Sequence, residues 1–555
     1  MTLFMDWNIT MTDDGFDLIS ERWILARHLD GRVEQLSILD TFASAHELAG
    51  VVGEIPTQTF AITRLLLAIL HRAVGGPADD DQWAELWQRP ELPVEQVRSY
   101  LAEYRDRFDL LHPSQPFFQV ADLHTAKDET FGLERLIADA PTGRPYFTTR
   151  LGASLSSIEL AEAARWLVHC QAFDPSGIKS GAVGDSRVIS GRGYPIGVAW
   201  SGLIGGILCE GPTLRETLLL NLIARDFDED SFTEADQPVW ERPPQTAQEE
   251  VPGGRPVSGP PDLYTWQARR IRLATKGNRV TGVLICNGDK LEPRNLHRLE
   301  PMTVWRRSAN QEKLRGLSLV YMPRQHDPER SLWRGIAALL PSQASRKQYR
   351  EGALQLAPAS LHWLGHLQYY GLLPKDYVVR TRALGMQYIN QSALVGEIID
   401  DSLTMNVIVL SEASQDLGEQ IATGAAAIET GVRALADLAS NLAVAAGGES
   451  EPPRAAVRAA GFAAVDQEFR RWLAELGPAT DPLPARAQLN ELARKALLEL
   501  GRQLLASASP QAWTGRTANK RLVCTPLADS WFRREIYSLF PIDQTTDIDS
   551  RGVSA

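Results

Sequence analysis

Four cysteines are all the chain has, and Cys170, Cys209, Cys286 and Cys524 lie too far apart to form a C-x-x-C pair. Their spacing excludes a zinc ribbon and gives no reason to expect a disulfide framework, as suits a reducing compartment. The opening MTLFMDWNITMTDDG carries acids where a signal peptide needs a basic region followed by an apolar stretch. The uncharged run from Tyr194 to Cys209 is broken by glycines and is too short to span a bilayer. We therefore expect a soluble cytoplasmic protein with no membrane association. An excess of positive charge is missing too: the formal net charge is −12. That argues against a free-standing nucleic-acid binder, because phosphate neutralisation is the largest sequence-independent affinity term. Net charge is not charge distribution, however. An acidic subunit can present a few cations at one groove when partner proteins supply the rest.

The familiar catalytic signatures are also absent. In QAFDPSGIKSGAVGDSR, residues 171–187, small residues surround Lys179 in the manner of a phosphate loop. A P-loop needs glycine directly before the lysine and again five positions earlier, so that backbone N–H groups cradle phosphate. Those positions hold Ile178 and Phe173, and the motif fails. GRGYPIG (191–197) imitates a dinucleotide fingerprint, but its third glycine is one residue late and Pro195 interrupts the helix entry. His326-Asp327 resembles half of a metal-dependent nuclease site, without a second cluster to complete it. Asp400-Asp401 sits near the start of an expected helix, where the dipole favours carboxylates regardless of chemistry. No constellation supports an enzyme, and no catalytic residue, metal ligand or cofactor is assigned.

What is present is organisation. A chain of 555 residues exceeds one core, which makes two to four domains the prior. Residues 15–38 read as a β-hairpin about Asp30-Gly31. Helical periodicity follows in TFAITRLLLAILHRAV (59–74), and PFFQVADL (116–123) reads as a short buried strand. Residues 226–262, acidic and holding seven prolines, read as a surface excursion without regular structure. LYTWQARRIRLA and RVTGVLICNG read as two strands joined by TKGN. Towards the C-terminus, Leu417, Ile421, Ile428, Val432, Leu435 and Leu442 mark one apolar stripe, Phe462, Val465, Phe469, Trp472 and Leu476 a second, and Leu489, Leu492, Ala496, Leu500 and Leu504 a third. Such stripes bury against one another in an antiparallel bundle. The expectation is an α+β protein: a large mixed N-terminal domain over 1–392, then a four-helix bundle over 393–555.

The order of several strings along the chain is itself informative. FDLISERWI, LLLAILHRA, HPSQPFFQV, ARWLVHCQAFDPSGIKSGA, RETLLLNL, DLYTWQARRIRL, EPMTVWRR and YINQSALVGEI occur in that sequence. The chain thereby resembles the CasA (Cse1) family, the large subunits of the type I-E CRISPR surveillance complex Cascade. The resemblance implies a non-catalytic role in antiviral defence. Such a subunit reads the short protospacer-adjacent motif (PAM) on duplex DNA, helps open the duplex for guide pairing, and presents a docking surface for the Cas helicase–nuclease. Its implied partners are the guide RNA, the other Cascade subunits, double-stranded target DNA and that nuclease. It also implies sites, residue by residue. The family's glycine loop matches Ser176, Gly177 and Lys179; its glutamine wedge matches Asn390 and Gln391; its minor-groove lysine finger matches Lys290, with Arg294 as a rival. A loop that contacts the guide's 5′ handle matches Phe147 with Arg144 and Arg150. The cysteines of the metal-binding insert found in some members are missing here, so no structural zinc is implied.

These assignments have physical content. The minor groove is about 6 Å wide, and a missing Cβ lets backbone N–H groups reach base acceptors there. Lys179 and Lys290 would add charge-assisted contacts. Prying one base step apart costs a few kcal/mol, which a flat amide such as that of Gln391 would help to offset. Each also has a plainer alternative. Residues 174–181 read equally as a surface turn, Asn390 or Ser392 as the N-cap of a helix containing Gln391, and Phe147 as a core aromatic. Two other functions stay open at this level: a metal-dependent nuclease with an unrecognised acidic site, and a purely structural scaffold.

Overall fold

Asp30-Gly31 turns the chain as its chemistry requires. Strands Ile24–His28 and Val33–Leu36 pair antiparallel, and Gly31 takes φ 90° in the turn. The structure is a computed structural model and describes residues 15–140, 150, 155–227, 235–340, 352–518 and 520–542. Helical and extended elements are mixed along most of the chain, and long helices dominate its C-terminal part, an α+β architecture.

Two units emerge, and each draws on separated segments. The first comprises Met1–Pro328, Glu351–Trp363 and Thr381–Asp401; the second comprises Glu329–Arg350, Leu364–Arg380 and Ser402–Ala555. The boundary drawn from sequence at 392/393 falls within a hairpin turn of the first unit, because the expected helix there does not form. Strands Val378–Ile389 and Leu394–Asn406 occupy that stretch instead. Leu394–Asn406 pairs with Val378–Ile389, which itself pairs with strand Gly206–Glu210, so the chain extends a sheet where a helix was expected. The long helices of the C-terminal part begin at Gln415.

The first unit is built around helix Pro56–Ala73. Fifteen of its eighteen residues are buried, so it is surrounded and serves as an axis. Burying Arg64 on that axis requires a partner. Glu300 accepts two hydrogen bonds from its guanidinium at 2.9 and 2.7 Å, and a third from the Trp200 indole at 2.7 Å. Helix Leu160–Phe173 packs on this axis. Strands Arg269–Thr275 and Arg279–Asn287 form the expected hairpin, and the second of them also pairs with Ile158–Glu159 and Lys179–Ser180.

Two other expectations change. Residues 117–120 and Leu123 are buried but not extended: Phe118 takes φ 54°, and a turn carries the Val120 N–H to the Ile271 carbonyl at 2.9 Å. The described part of the proline-rich segment is no free excursion. Trp240 is buried, its indole donates to the Tyr100 hydroxyl, and Arg255 clamps the buried Asp262 through two hydrogen bonds. Arginine–carboxylate pairs anchor a segment whose composition alone suggested solvation.

In the second unit, helices Gln415–Ala446, Glu451–Glu475, Pro482–Ala506 and Thr525–Leu539 pack on one another. The first stripe is buried as expected, and so is the second except for the half-buried Phe462. In the third helix the buried line is Ala485, Leu489, Ala493, Leu497 and Gly501, a strict i+4 row, and Leu492, Ala496, Leu500 and Leu504 are only half-buried. Small residues win that row because the helices come close: a Cβ on Gly501 would overlap the Phe532 ring. All four cysteines are free thiols, and among the described residues no helix is long and apolar enough to cross a membrane.

Candidate nucleic-acid interface

Helix Leu160–Phe173 ends where Asp174 and Pro175 turn the chain outward, because proline disfavours a helical conformation in the residue before it. The loop that follows is pinned at its root. Arg269, itself buried, donates to the Asp174 carboxylate at 2.5 Å and to the Pro175 and Gly197 carbonyls at 3.0 and 2.8 Å. Gln171 closes the arrangement by exchanging hydrogen bonds with the Arg269 backbone, each at 3.0 Å.

Lys179 does not hang free. Its Nζ lies 2.5 Å from Asp174 Oδ2, and only 15% of its side chain is exposed. Burial pushes the Asp174 carboxyl up, but Lys179 and Arg269 together outweigh that and hold it below the usual carboxylate value. The lysine is therefore neutralised by the protein, and the loop offers backbone. Gly177 takes φ 138°, a conformation side chains rarely adopt. Ser176 is half-buried and Ile178 exposed.

Asn390 and Gln391 are exposed at the tip of the hairpin formed by Val378–Ile389 and Leu394–Asn406. Three consecutive residues there are left-handed: Asn390 at φ 52°, Gln391 at 57° and Ser392 at 63°. The Ala393 N–H bonds back to the Asn390 carbonyl at 3.2 Å, so the loop is a tight turn, and the helix N-cap reading is excluded. Left-handed non-glycine residues cost about 1–2 kcal/mol each, and Asn bears that conformation best. The arms compensate. Arg382 holds Asp400 of the returning strand with two 2.7 Å hydrogen bonds and also reaches Glu210 at 3.1 Å. Asp400 is thus a cross-strand anchor, with its carboxylate fully engaged.

Loop and hairpin tip meet. A Cβ placed on Gly177 would lie 3.8 Å from the Cβ of Ala393. Tyr388, two residues before the tip, donates its hydroxyl to the Phe173 carbonyl at 2.7 Å, at the end of the helix that launches the loop. Burial pushes that phenol well above its ordinary value, so it remains a donor. Two segments more than 200 positions apart in sequence thereby form one surface.

Lys290 is exposed, with no side-chain partner among the described residues. It follows strand Arg279–Asn287, whose Cys286 pairs with Ser180 of the loop. Its rival Arg294 is ion-paired with Glu292 at 2.8 Å. Of the residues assigned to the guide, Arg144 and Phe147 lie outside the described residues. Arg150 is engaged by Glu162 at 2.5 Å and Asp139 at 3.2 Å. The His326 ring donates from Nε2 to the Gly206 carbonyl at 3.0 Å, and among the described residues no group of three or more His, Cys, Asp or Glu side chains is placed to hold a metal ion. Sequence reasoning missed Asp174, Arg269 and Tyr388. The signal was there in part: two adjacent arginines inside the apolar alternation of ARRIRL must be buried with partners.

Solved structures with this fold include CRISPR-associated proteins. The crystal structure of Thermobifida fusca Cse1 is 47% identical over 95% of this chain and 98% of its own, with a TM-score of 0.88. The chain belongs to the family described as CRISPR-associated protein Cse1, whose sequence pattern matches residues 17–504. A CRISPR-associated protein CasA/Cse1 from Thermus thermophilus is 33% identical over 339 residues, a match that spans 60% of this chain and 61% of that relative. A chain of a CRISPR RNA-guided surveillance complex, 19% identical over 95% of this chain and 100% of its own, shares the fold with a TM-score of 0.69.

Proposed function

We propose that this chain is the non-catalytic large subunit of an RNA-guided antiviral DNA surveillance complex. In that reading it sits with the guide RNA and its fellow subunits in the cytoplasm, recognises a PAM in duplex DNA from the minor groove, promotes local unwinding, and helps recruit a helicase–nuclease. The observation that supports it best is the apposition of Gly177 and the hairpin tip. A backbone-lined loop suits a narrow groove. A rigid, exposed Asn390-Gln391 tip beside it suits insertion next to the base pairs that the loop reads. The minor groove presents a degenerate pattern, so such a reader accepts several related PAMs.

The test uses the assembled complex with its guide. Gln391→Ala should leave assembly intact and slow R-loop formation on PAM-bearing duplex, whereas a target with a pre-opened bubble should rescue it. Lys290→Ala should weaken duplex binding in the same assay. Wild-type R-loop rates for both variants on closed duplex would sink the assignment.

A further inference from the structure

The stretch GRGYPIG fails as a nucleotide fingerprint, yet the fold places it against the glycine loop. Arg192–Gly193 pairs antiparallel with Lys179–Ser180, setting Lys179 opposite Gly193 and Ser180 opposite Arg192. Residues opposite one another in such a ribbon emerge on one face, so the Arg192 side chain leaves on the face of Ser180. Its backbone is held closely. Ser190 and Gly191 take φ 52° and 72°, the signature of a type I′ turn, and Ile189 and Arg192 exchange backbone hydrogen bonds of 3.0 and 3.1 Å across it.

The cations of this neighbourhood divide sharply. Lys179 and Arg269 share Asp174. Arg187 is spent on Asp185 at 2.9 Å, Glu249 at 3.2 Å and the Gly288 carbonyl at 2.9 Å. Arg270 is buried on Asp289 at 3.0 Å. Arg192 is exposed, and its guanidinium has no hydrogen-bond or ion-pair partner among the described residues. Tyr194, two positions on, is 52% exposed. Its mount is rigid: the buried Asn287 amide donates to the Tyr194 carbonyl at 2.6 Å, and Pro195 follows.

We infer that Arg192, with the exposed ring of Tyr194, is the contact to the sugar–phosphate backbone of the duplex beside the glycine loop, in the place the sequence assigns to Lys179. The inference rests on the duplex-reading function proposed above. A guanidinium presents a fork of donors matched to phosphate oxygens, and an aromatic ring on a fixed backbone loses little freedom when it packs on a sugar or base. In a chain of net charge −12, an arginine left unneutralised beside a loop of bare backbone is, like the exposed Lys290, open to a phosphate.

The experiment measures binding of PAM-bearing and PAM-lacking duplex to the guide-loaded complex between about 50 and 200 mM salt. The subunit would be wild type, Arg192→Ala, Arg192→Lys, Tyr194→Ala, Lys179→Ala or Gln391→Ala. Arg192→Ala should weaken both duplexes about five- to twenty-fold at low salt, keep their ratio, and shallow the log–log salt slope by about 1. Arg192→Lys should fall between it and wild type. Tyr194→Ala should weaken binding about five- to thirty-fold with the slope unchanged. Lys179→Ala should leave the slope as it is. An unchanged affinity and slope for Arg192→Ala would overturn the inference, and so would a failure of that variant to enter the complex, which would mark Arg192 as a partner contact. If Gln391→Ala alone impairs opening, only this inference falls; if neither variant has an effect, the duplex-reading function falls with it.

Discussion

The Tyr388 hydroxyl donates to the Phe173 carbonyl at 2.7 Å, and this one bond ties the arm of the hairpin to the root of the glycine loop. Both groups are inside the first unit, where an unmade hydrogen bond costs the full desolvation of the carbonyl, about 1–3 kcal/mol. Tyr388→Phe keeps the ring and deletes only the donor. Amide hydrogen exchange should then speed up together at 174–181 and 388–393, with global stability down by about 1–2 kcal/mol. Faster exchange at one segment alone would show that the two move independently.

The hairpin tip carries three left-handed residues where glycine would be at ease. Gln391→Gly and Ser392→Gly should therefore be neutral or stabilising, by up to about 1 kcal/mol in denaturant unfolding. In the assembled complex Gln391→Gly should nonetheless slow target opening as much as Gln391→Ala does. Loss of stability on adding glycine would mean that the side chains, and not the turn, hold the tip. Gain of stability with loss of function is the pattern of strain retained for use.

Asp174 serves two cations at once. Its carboxyl is held below the ordinary value, so the stability it contributes is complete above the unfolded carboxylate range near 4 and is lost as pH falls through the lower folded value. Asp174→Asn leaves Arg269 buried and short of a countercharge, at a cost of about 3–5 kcal/mol. It also releases Lys179. We expect a lower melting temperature and, in the surviving folded fraction, tighter PAM-independent DNA binding with a steeper salt slope. A variant as stable as wild type would show that the Pro175 and Gly197 carbonyls suffice for Arg269.

Asp236 behaves in the opposite sense. Burial, and next the neighbouring Asp262, push its carboxyl up to about 7, against the 3.8 expected of a free one. The folded state holds this proton more tightly than the unfolded chain, so its contribution declines as pH rises from about 4 through 7. Asp236→Asn keeps the shape and removes the charge. It should raise the melting temperature at pH 8 more than at pH 5, flattening the profile. Equal effects at both pH values would place the titration elsewhere.

Much of the fold is local chemistry and could be read in advance. The turn at Asp30-Gly31, the hairpin about TKGN, the axis helix and the apolar stripes of the C-terminal helices follow from dipeptide geometry and from periods of 2 and 3.6. The departures also have local causes. The strand at 394–406 carries no clean alternation and precedes strong helical patterns, and the proline-rich composition around Trp240 hides the arginine clamps that anchor it.

Site chemistry divides along a different line. The small residues of the glycine loop stand out in the string itself, whereas Asn390 and Gln391 are singled out only by the resemblance to the Cse1 family, and their residue types alone read as the start of a helix. Which cation is free is not a property of the string. Lys179 and Arg192 look alike in sequence; whether each keeps its charge for a ligand depends on whether a carboxylate lies within hydrogen-bond distance of it. Asp174 meets Lys179 at 2.5 Å because Arg269, from a strand 95 positions away, fixes it there. Contacts across such separations are made by packing, and packing decided which of the two basic residues keeps its charge unpaired.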